Sequence, residues 1–254
     1  DAGPLDTSAP GLDYFEFYLK TLLGLGEMPL TSEAELHCTR VVLREANTVS
    51  AFLADVRRSS RLRAWAYGWV YRAAYRGVDA VVCQNEMMRE DLARCMCVPS
   101  ARLARIPNPV DAARLDRAAA APVSAPPGPG PHLVAVGRCV RQKGYDVLLH
   151  AFAAVHRRHP DATLSIVGDG EERPALARLA GTLGLQPQVR FLGFLRNPHP
   201  LVARADLFVS ASRFEGTSNA VLEALAAGTP VVATDCPSGI REHLVPGING
   251  WLAA

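Results

Sequence analysis

Two glutamates carry the chemistry this chain could do. Glu215 closes the run Ser212-Arg213-Phe214-Glu215, and Glu223 follows after seven residues, inside Asn219-Ala220-Val221-Leu222-Glu223-Ala224-Leu225-Ala226-Ala227. Glu223 apart, that second segment is apolar nearly all round, the pattern of a buried helix. Its carboxylate is therefore expected to lose hydration and to need a partner that restores it. Between the glutamates, Gly216, Thr217, Ser218 and Asn219 offer backbone N–H groups at a helix start, where an anion is favoured. Two carboxylates can grip hydroxyl groups while the helix end takes a phosphate, and a sugar nucleotide carries both. Taken singly, Glu215 reads as a turn residue and Glu223 as half of an ion pair. Together, around one glycine-containing turn, they favour the ligand.

A second group lies upstream. Gly137-Arg138-Cys139-Val140-Arg141-Gln142-Lys143-Gly144 puts Arg138 and Lys143 on one loop, with Gly137 and Gly144 permitting close backbone approach. Fixed cations there suit a diphosphate and would stabilise charge on a departing nucleotide. A single Arg or Lys at a strand end is ordinarily a solvated surface cation. This loop gains its meaning from sharing a sheet with Glu215 and Glu223.

That sheet is legible in the alternation of apolar runs. Strands are predicted at His132–Val136, Thr163–Val167, Val189–Leu192, Asp206 to Ala211 and Pro230–Ala233. Helices fall between them, ending near Arg158, near Leu183 and at Ala227, with a short one around Pro200 to Arg204. Alternating strands and helices predict an α/β chain with a doubly wound parallel sheet, Rossmann-like, which binds ligands at the carboxyl ends of its strands. Gly168-Asp169-Gly170 lacks the third glycine of a dinucleotide fingerprint, and Glu171 and Glu172 would repel a pyrophosphate, so NAD is not expected.

The amino-terminal half is less regular. Val41-Val42-Leu43 reads as a buried strand whose carboxyl end carries Arg44, Glu45 and Asn47, candidates for a second side of the site. Val78–Cys83 is the next strand and Glu86–Cys95 the next helix. Residues 57 to 76 hold six arginines and no acid, interleaved with Trp65, Tyr67, Trp69, Tyr71 and Tyr75. A helix of that composition suits peripheral attachment to an anionic membrane surface, or lines a domain cleft with its aromatics packed. Gly11 to Gly26 is apolar and aromatic and reads as a helix packed on a neighbour, without chemistry.

Ile106-Pro107-Asn108-Pro109-Val110-Asp111 is a stiff extended segment, because each proline fixes its own backbone and restricts the residue before it. Ala118 to Pro131 is rich in Ala, Pro and Gly without periodicity. The chain therefore divides into a partial amino-terminal domain (1–105), a hinge and linker (106–131) and a carboxy-terminal domain (132–254).

Bulk properties bound the function. An apolar share of 49% over 254 residues supports a full core, and a net charge of +2 argues against a nucleic-acid partner. No apolar run reaches the length of a membrane span. The six cysteines (38, 83, 95, 97, 139 and 236) show no zinc spacing and suit a reducing cytoplasm. With Asp1 first and no signal peptide visible, the sequence reads as an excised or processed piece.

At these residues the chain resembles the retaining glycosyltransferases of family 4, which have the GT-B fold of two facing Rossmann-like domains. The matching pieces stand in the family's order: the 106–111 hinge, the Gly137–Gly144 loop, Ile166-Val167-Gly168-Asp169-Gly170, Val189-Arg190-Phe191-Leu192-Gly193 and the unit from Ser212 to Gly228. Pro237-Ser238-Gly239 and Gly247-Ile248-Asn249-Gly250 close the match. The resemblance covers residues 78 to 254 well and 41 to 77 weakly. It implies that Glu215 contacts donor-sugar hydroxyls, Glu223 the ribose, and Arg138 and Lys143 the diphosphate, with the amides after Glu215 helping. Gly137 joins the donor-binding set, Gly193 and Phe194 the nucleobase side, and Arg44, Glu45 and Asn47 the acceptor side.

Neither a metal nor another cofactor is implied, the two cations standing in for a divalent ion. The expected chemistry is front-face transfer with retention, in which the leaving diphosphate takes the acceptor's proton. Three departures stand beside the match. Ala46 holds a place where many relatives have histidine. The opening strand is not recognisable in residues 1–40. The chain also ends at Ala254, before the family's last helices. It therefore reads as truncated at both ends.

The resemblance makes the chain a cytoplasmic enzyme, peripheral on the inner membrane face. It would move a hexose or N-acetylhexosamine from a nucleotide diphosphate sugar, UDP-linked, to a glycan or lipid-linked acceptor in polysaccharide or glycolipid synthesis. The alternatives are a non-catalytic nucleotide-sugar-binding partner, an epimerase of the same fold, and a phosphorylase, whose pyridoxal lysine has no visible motif.

Overall fold

The computed structural model describes residues 41–123 and 130–253. The apolar helix expected at 11–26 and most of the linker centre lie outside them.

The first unit is a three-stranded parallel sheet of β1 (Val42–Arg44), β2 (Ala80–Cys83) and β3 (Leu103–Arg105), in that order. Leu43 pairs with Val81, which pairs with Leu103. Helices α1 (Val49–Ser59), α2 (Arg61–Arg76) and α3 (Glu86–Cys95) pack around it through Val49, Tyr75, Val81, Met88 and Leu92. β1 departs from the buried strand expected: Val41 and Val42 are exposed and Leu43 half-buried, because β1 is the edge of the described sheet.

The basic and aromatic stretch is likewise not one helix. It breaks at Ser60, whose backbone is extended (φ −159°) and whose hydroxyl caps α2 by accepting from the Arg63 amide at 3.2 Å. Beyond β3 the proline-restricted segment from Ile106 to Val110 has no regular structure, and the stretch expected as hinge and linker then holds α4 (Ala112–Ala119). Asp111 caps it by accepting from the Arg114 amide at 2.9 Å. Its one buried residue, Leu115, is too sparse a stripe to read in an Ala- and Arg-rich segment.

The second unit follows the alternation closely. β4 (His132–Val136), α5 (Tyr145–Arg158), β5 (Thr163–Val167), α6 (Arg173–Thr182), β6 (Val189–Gly193), α7 (His199–Val202), β7 (Leu207–Ser210), α8 (Asn219–Ala226), β8 (Val231–Thr234) and β9 (Gly250–Ala253) come in turn. All six strands are parallel, in the order β6-β5-β4-β7-β8-β9. Both faces are covered, as a parallel sheet requires. On one, Leu148, Leu149 and Phe152 of α5 lie on Leu164 and Ile166. On the other, Val221 and Ala224 of α8 lie on Val134, Phe208 and Val231. The strand order reverses between β4 and β7, and such a reversal opens a crevice at the carboxyl ends of those strands.

Candidate active site

The loop after β4 and the turn after β7 meet at that reversal. Gly144 is left-handed (φ 62°), and a Cβ there would fall 2.1 Å from the Ala211 carbonyl oxygen, so the loop can seat on the end of β7 only as glycine. The Arg213 amide donates to the Gln142 carbonyl at 2.8 Å, completing the junction. From the other flank Gly168 (φ 135°) brings β5 against the loop's start, where a Cβ would lie 2.0 Å from the Gly137 carbonyl oxygen.

This packing joins the two groups singled out by their chemistry. The Lys143 ammonium pairs with Oε1 of Glu215, and the Ser212 hydroxyl donates to the same oxygen at 2.7 Å. Gln142 reaches the other carboxylate oxygen at 3.4 Å. The side chains of Lys143 and Glu215 are only 18% and 11% exposed, so the pair is largely out of water. A lysine ammonium has three donors, and Glu215 takes one, leaving donors for an anion in the crevice. Arg138 is exposed and makes no ion pair among the described residues.

The Glu215 turn is held equally from the first unit. The Thr48 hydroxyl donates to the Glu215 carbonyl at 2.7 Å. Asn85 donates its side-chain amide to the Gly216 carbonyl and to the Thr217 hydroxyl, both at 3.0 Å, while its own oxygen caps α3 by accepting from Met88. Gln84 accepts from the Thr217 amide at 3.1 Å. The two sheets therefore present their carboxyl ends to one another across this turn. Gln84, Asn85, Gln142 and Ser212 are site residues that spacing did not reveal: the first three act on partners distant in the chain, and Ser212 is one more polar residue of the turn that holds Glu215. The one local signal was Asn85 immediately before a helix start.

Asn47 and Arg44 sit on the rim as expected. Asn47 accepts from Gln142 at 3.1 Å, and Arg44 donates at 2.7 Å to Asn108, which donates at 2.6 Å to Asn219. Glu45 is turned inward rather than onto the rim. It is 5% exposed, and its carboxylate accepts from the Tyr75 hydroxyl and from the amides of Ala46 and Asn47. Burial pushes its pKa up despite those bonds. Glu45 braces the loop after β1 from within.

Glu223 also departs from expectation. It is half-buried, and its carboxylate has no hydrogen bond or ion pair among the described residues. α8 buries only Val221, Leu222 and Ala224, and turns Glu223 into a cleft of about 300 Å³ with Pro109, Asp111, Arg114 and His199. Glu215 borders a separate, water-sized space beside Thr217, Ser218 and His243, with Leu222 lining both. The amides of Ser218 and Asn219 find no acceptor among the described residues, so that part of the helix start is open to an anion. Gly193 receives the Gly168 amide at 2.8 Å, and Phe194 beyond it is 79% exposed at the sheet's rim.

Comparison with known proteins agrees with this geometry. A family model described as Glycosyl transferases group 1 matches residues 130–254, and one described as Glycosyltransferase Family 4 matches residues 47–114. The lipopolysaccharide core biosynthesis glycosyltransferase LpsE of Rhizobium meliloti is 42% identical over 143 residues, covering 56% of this chain and 38% of the relative. A 4-alpha-N-acetylgalactosaminyltransferase of Campylobacter jejuni, named for a diphospho-undecaprenol-linked acceptor, is 29% identical over 204 residues, 80% of this chain and 53% of the relative. The chain thus spans about half or less of these curated relatives. Among solved structures, Anabaena HepE in complex with UDP-glucose superposes with a TM-score of 0.65 at 22% identity, over 85% of this chain and 58% of that one. Staphylococcus aureus TarM gives 0.62 at 21%, over 75% and 36%. These likenesses are of fold, and the fold is GT-B. The chain belongs to the family 4 glycosyltransferases.

Proposed function

We propose that the protein moves a hexose or N-acetylhexosamine from a UDP-linked sugar to a glycan or lipid-linked acceptor, with retention of configuration, in polysaccharide or glycolipid synthesis. Residues 132–254 hold the donor, residues 1–105 the acceptor, and 106–131 form the hinge between them. The observation that carries this is the Lys143–Glu215 pair, set in glycine-lined backbone where the strand order reverses. Support for the donor comes from the relatives, one of which is solved with UDP-glucose. Support for a lipid-linked acceptor comes from the name of the Campylobacter enzyme.

In this proposal Glu215 accepts from the sugar hydroxyls and Lys143 donates to the diphosphate. Arg138, exposed on the same loop, folds over the phosphates. Gly137, Gly216, Thr217, Ser218 and Asn219 bring backbone to the donor, and Glu223 takes the ribose hydroxyls. Gly193 and Phe194 lie on the nucleobase side. The acceptor oxygen bonds to the anomeric carbon as the bond to the diphosphate breaks on the same face, and the acceptor's proton passes to the leaving diphosphate. The cations stabilise the charge that develops there, the work a metal does elsewhere. Among the described residues no helix is long and apolar enough to cross a membrane. We place the enzyme in the cytoplasm, at the inner membrane face.

The test is calorimetric titration with UDP, GDP and NAD, on the protein and on Glu223→Ala. Selective UDP binding that the substitution weakens is expected. Binding of NAD as tight as UDP would contradict the proposal.

A further inference from the structure

A groove of about 610 Å³ runs between α1, α2 and the end of α3. It begins at Ser50, two residues from Thr48, whose hydroxyl holds the Glu215 carbonyl at 2.7 Å. Along α1 it reaches Arg57, seven residues and about 10 Å further on. Its far end is lined by Arg57 and Arg61, while Arg72, eleven residues and about 16 Å back along the antiparallel α2, lies toward Ser50 beside Cys95, with Leu53, Gly68 and Trp65 between; no acid among the described residues borders it. Arg57 and Arg61 are exposed and make no ion pair among the described residues. The Arg72 guanidinium donates to the Cys95 carbonyl at 3.3 Å. Asp55, the acid nearest in sequence, is held by Arg141 at 2.9 Å.

The groove opens onto an apolar ridge. Leu62, Trp65 and Trp69 recur at three- and four-residue spacing on α2, and are 75%, 70% and 64% exposed. Trp65 belongs to both groove and ridge. From Thr48 along α1 the protein thus offers polar groups beside the reaction centre, then Arg57 and Arg61, and next to those two the exposed Leu62 and Trp65. That order matches an amphiphile with a sugar at one end, phosphate in the middle and a hydrocarbon chain at the other.

We infer that this groove binds the acceptor, and that the acceptor is a lipid-linked phosphate or diphosphate. Arg57 and Arg61 take its phosphates, and Leu62 and Trp65 the first stretch of its chain. The sugar end then lies along α1 toward Thr48 and the Glu215 turn. The acceptor role rests on the transferase proposed above; the binding site does not.

The test titrates the whole chain with farnesyl diphosphate, following tryptophan fluorescence, against inorganic diphosphate and farnesol. Arg61→Gln removes one phosphate contact. Gly68→Leu fills the groove between Thr48 and the Arg57–Arg61 pair without changing either arginine: a Cβ at Gly68 would have only ordinary contacts, 3.6 Å to the Arg72 guanidinium and 3.7 Å to Leu53. Farnesyl diphosphate should bind more tightly than either fragment, and each substitution should weaken it on the order of tenfold. UDP affinity should be unchanged in both variants. Binding matched by inorganic diphosphate or insensitive to Gly68→Leu overturns the inference. So does displacement by plain phosphatidylglycerol vesicles as effective as by unlabelled farnesyl diphosphate, which would make the surface a general anionic membrane contact. No binding to the wild-type chain overturns it as well. Loss of UDP binding with farnesyl diphosphate binding intact contradicts the donor assignment and supports this one.

Discussion

Asn85 and Gly216 stand 131 residues apart in the chain and are joined by a 3.0 Å hydrogen bond. Asn85 is fully buried, and its two polar atoms serve different units: the oxygen caps α3, while the amide holds the backbone of the Glu215 turn. One side chain thereby fixes where the second sheet's reactive turn sits on the first.

Asn85→Ala removes the cap and leaves the Gly216 carbonyl without its buried donor. Loss of a cap costs about 1 kcal/mol and an orphaned buried acceptor about 1–3 kcal/mol. Urea unfolding should show destabilisation of about 2–4 kcal/mol, whereas a change within error would mean that the turn is held without Asn85.

Such links explain what was legible in the sequence. The strands and helices of residues 132–234 could be read because burial on both sheet faces writes continuous apolar runs and helical stripes into local sequence. Gln142, Gln84 and Asn85 could not, since their partners lie about 70 or more residues away or in another unit, and a polar residue in a turn looks alike whatever it holds. Ala46 shows the same limit: it meets Gly216 through its backbone carbonyl, where a Cβ on residue 216 would fall 2.3 Å away. Glu223 lies shallower than its sequence context suggests, for a different reason. Its neighbours in α8 are apolar, but Ala220, Leu225 and Ala226 are not fully buried, so composition exaggerated how deep the helix lies.

Glu223→Ala should accordingly leave stability within about 0.5 kcal/mol, because the side chain is half-buried and unpartnered in the free protein. UDP affinity should fall by about 1.5–3 kcal/mol for one hydrogen bond to a charged group. Thermal melts and titrations on the same sample separate the two effects. A large stability loss with intact affinity would make Glu223 structural.

Gly168→Ala forces a Cβ onto the Gly137 carbonyl oxygen, 2.0 Å away, at a φ of 135°. Overpacking and left-handed strain together should cost about 2–4 kcal/mol. The shifted Gly137 loop should also weaken UDP, which calorimetry would report. Wild-type affinity would show that the loop does not meet the donor.

Glu45 makes stability depend on pH. Its folded pKa is raised from 4.5 by burial, so above that value the folded state holds more proton than the unfolded one. Stability is then lost as pH rises from about 4.5 through the raised value. Glu45→Gln removes this dependence while keeping an acceptor for the Ala46 and Asn47 amides. Urea midpoints should show the variant gaining on the wild type from pH 4.5 to pH 7.5. A constant difference would mean that Glu45 titrates alike in both states.

The central claim is that the loop from Gly137 to Gly144 holds a diphosphate beside Glu215. Titrations of UDP and of uridine into the wild type, Arg138→Gln and Lys143→Gln test it most directly. Arg138 is exposed and free of ion pairs among the described residues, so its loss should not disturb the fold. UDP should bind the wild type far more tightly than uridine. Each substitution should weaken UDP on the order of tenfold or more and leave uridine unchanged. Equal affinity for UDP and uridine, or UDP binding indifferent to both substitutions, would contradict it.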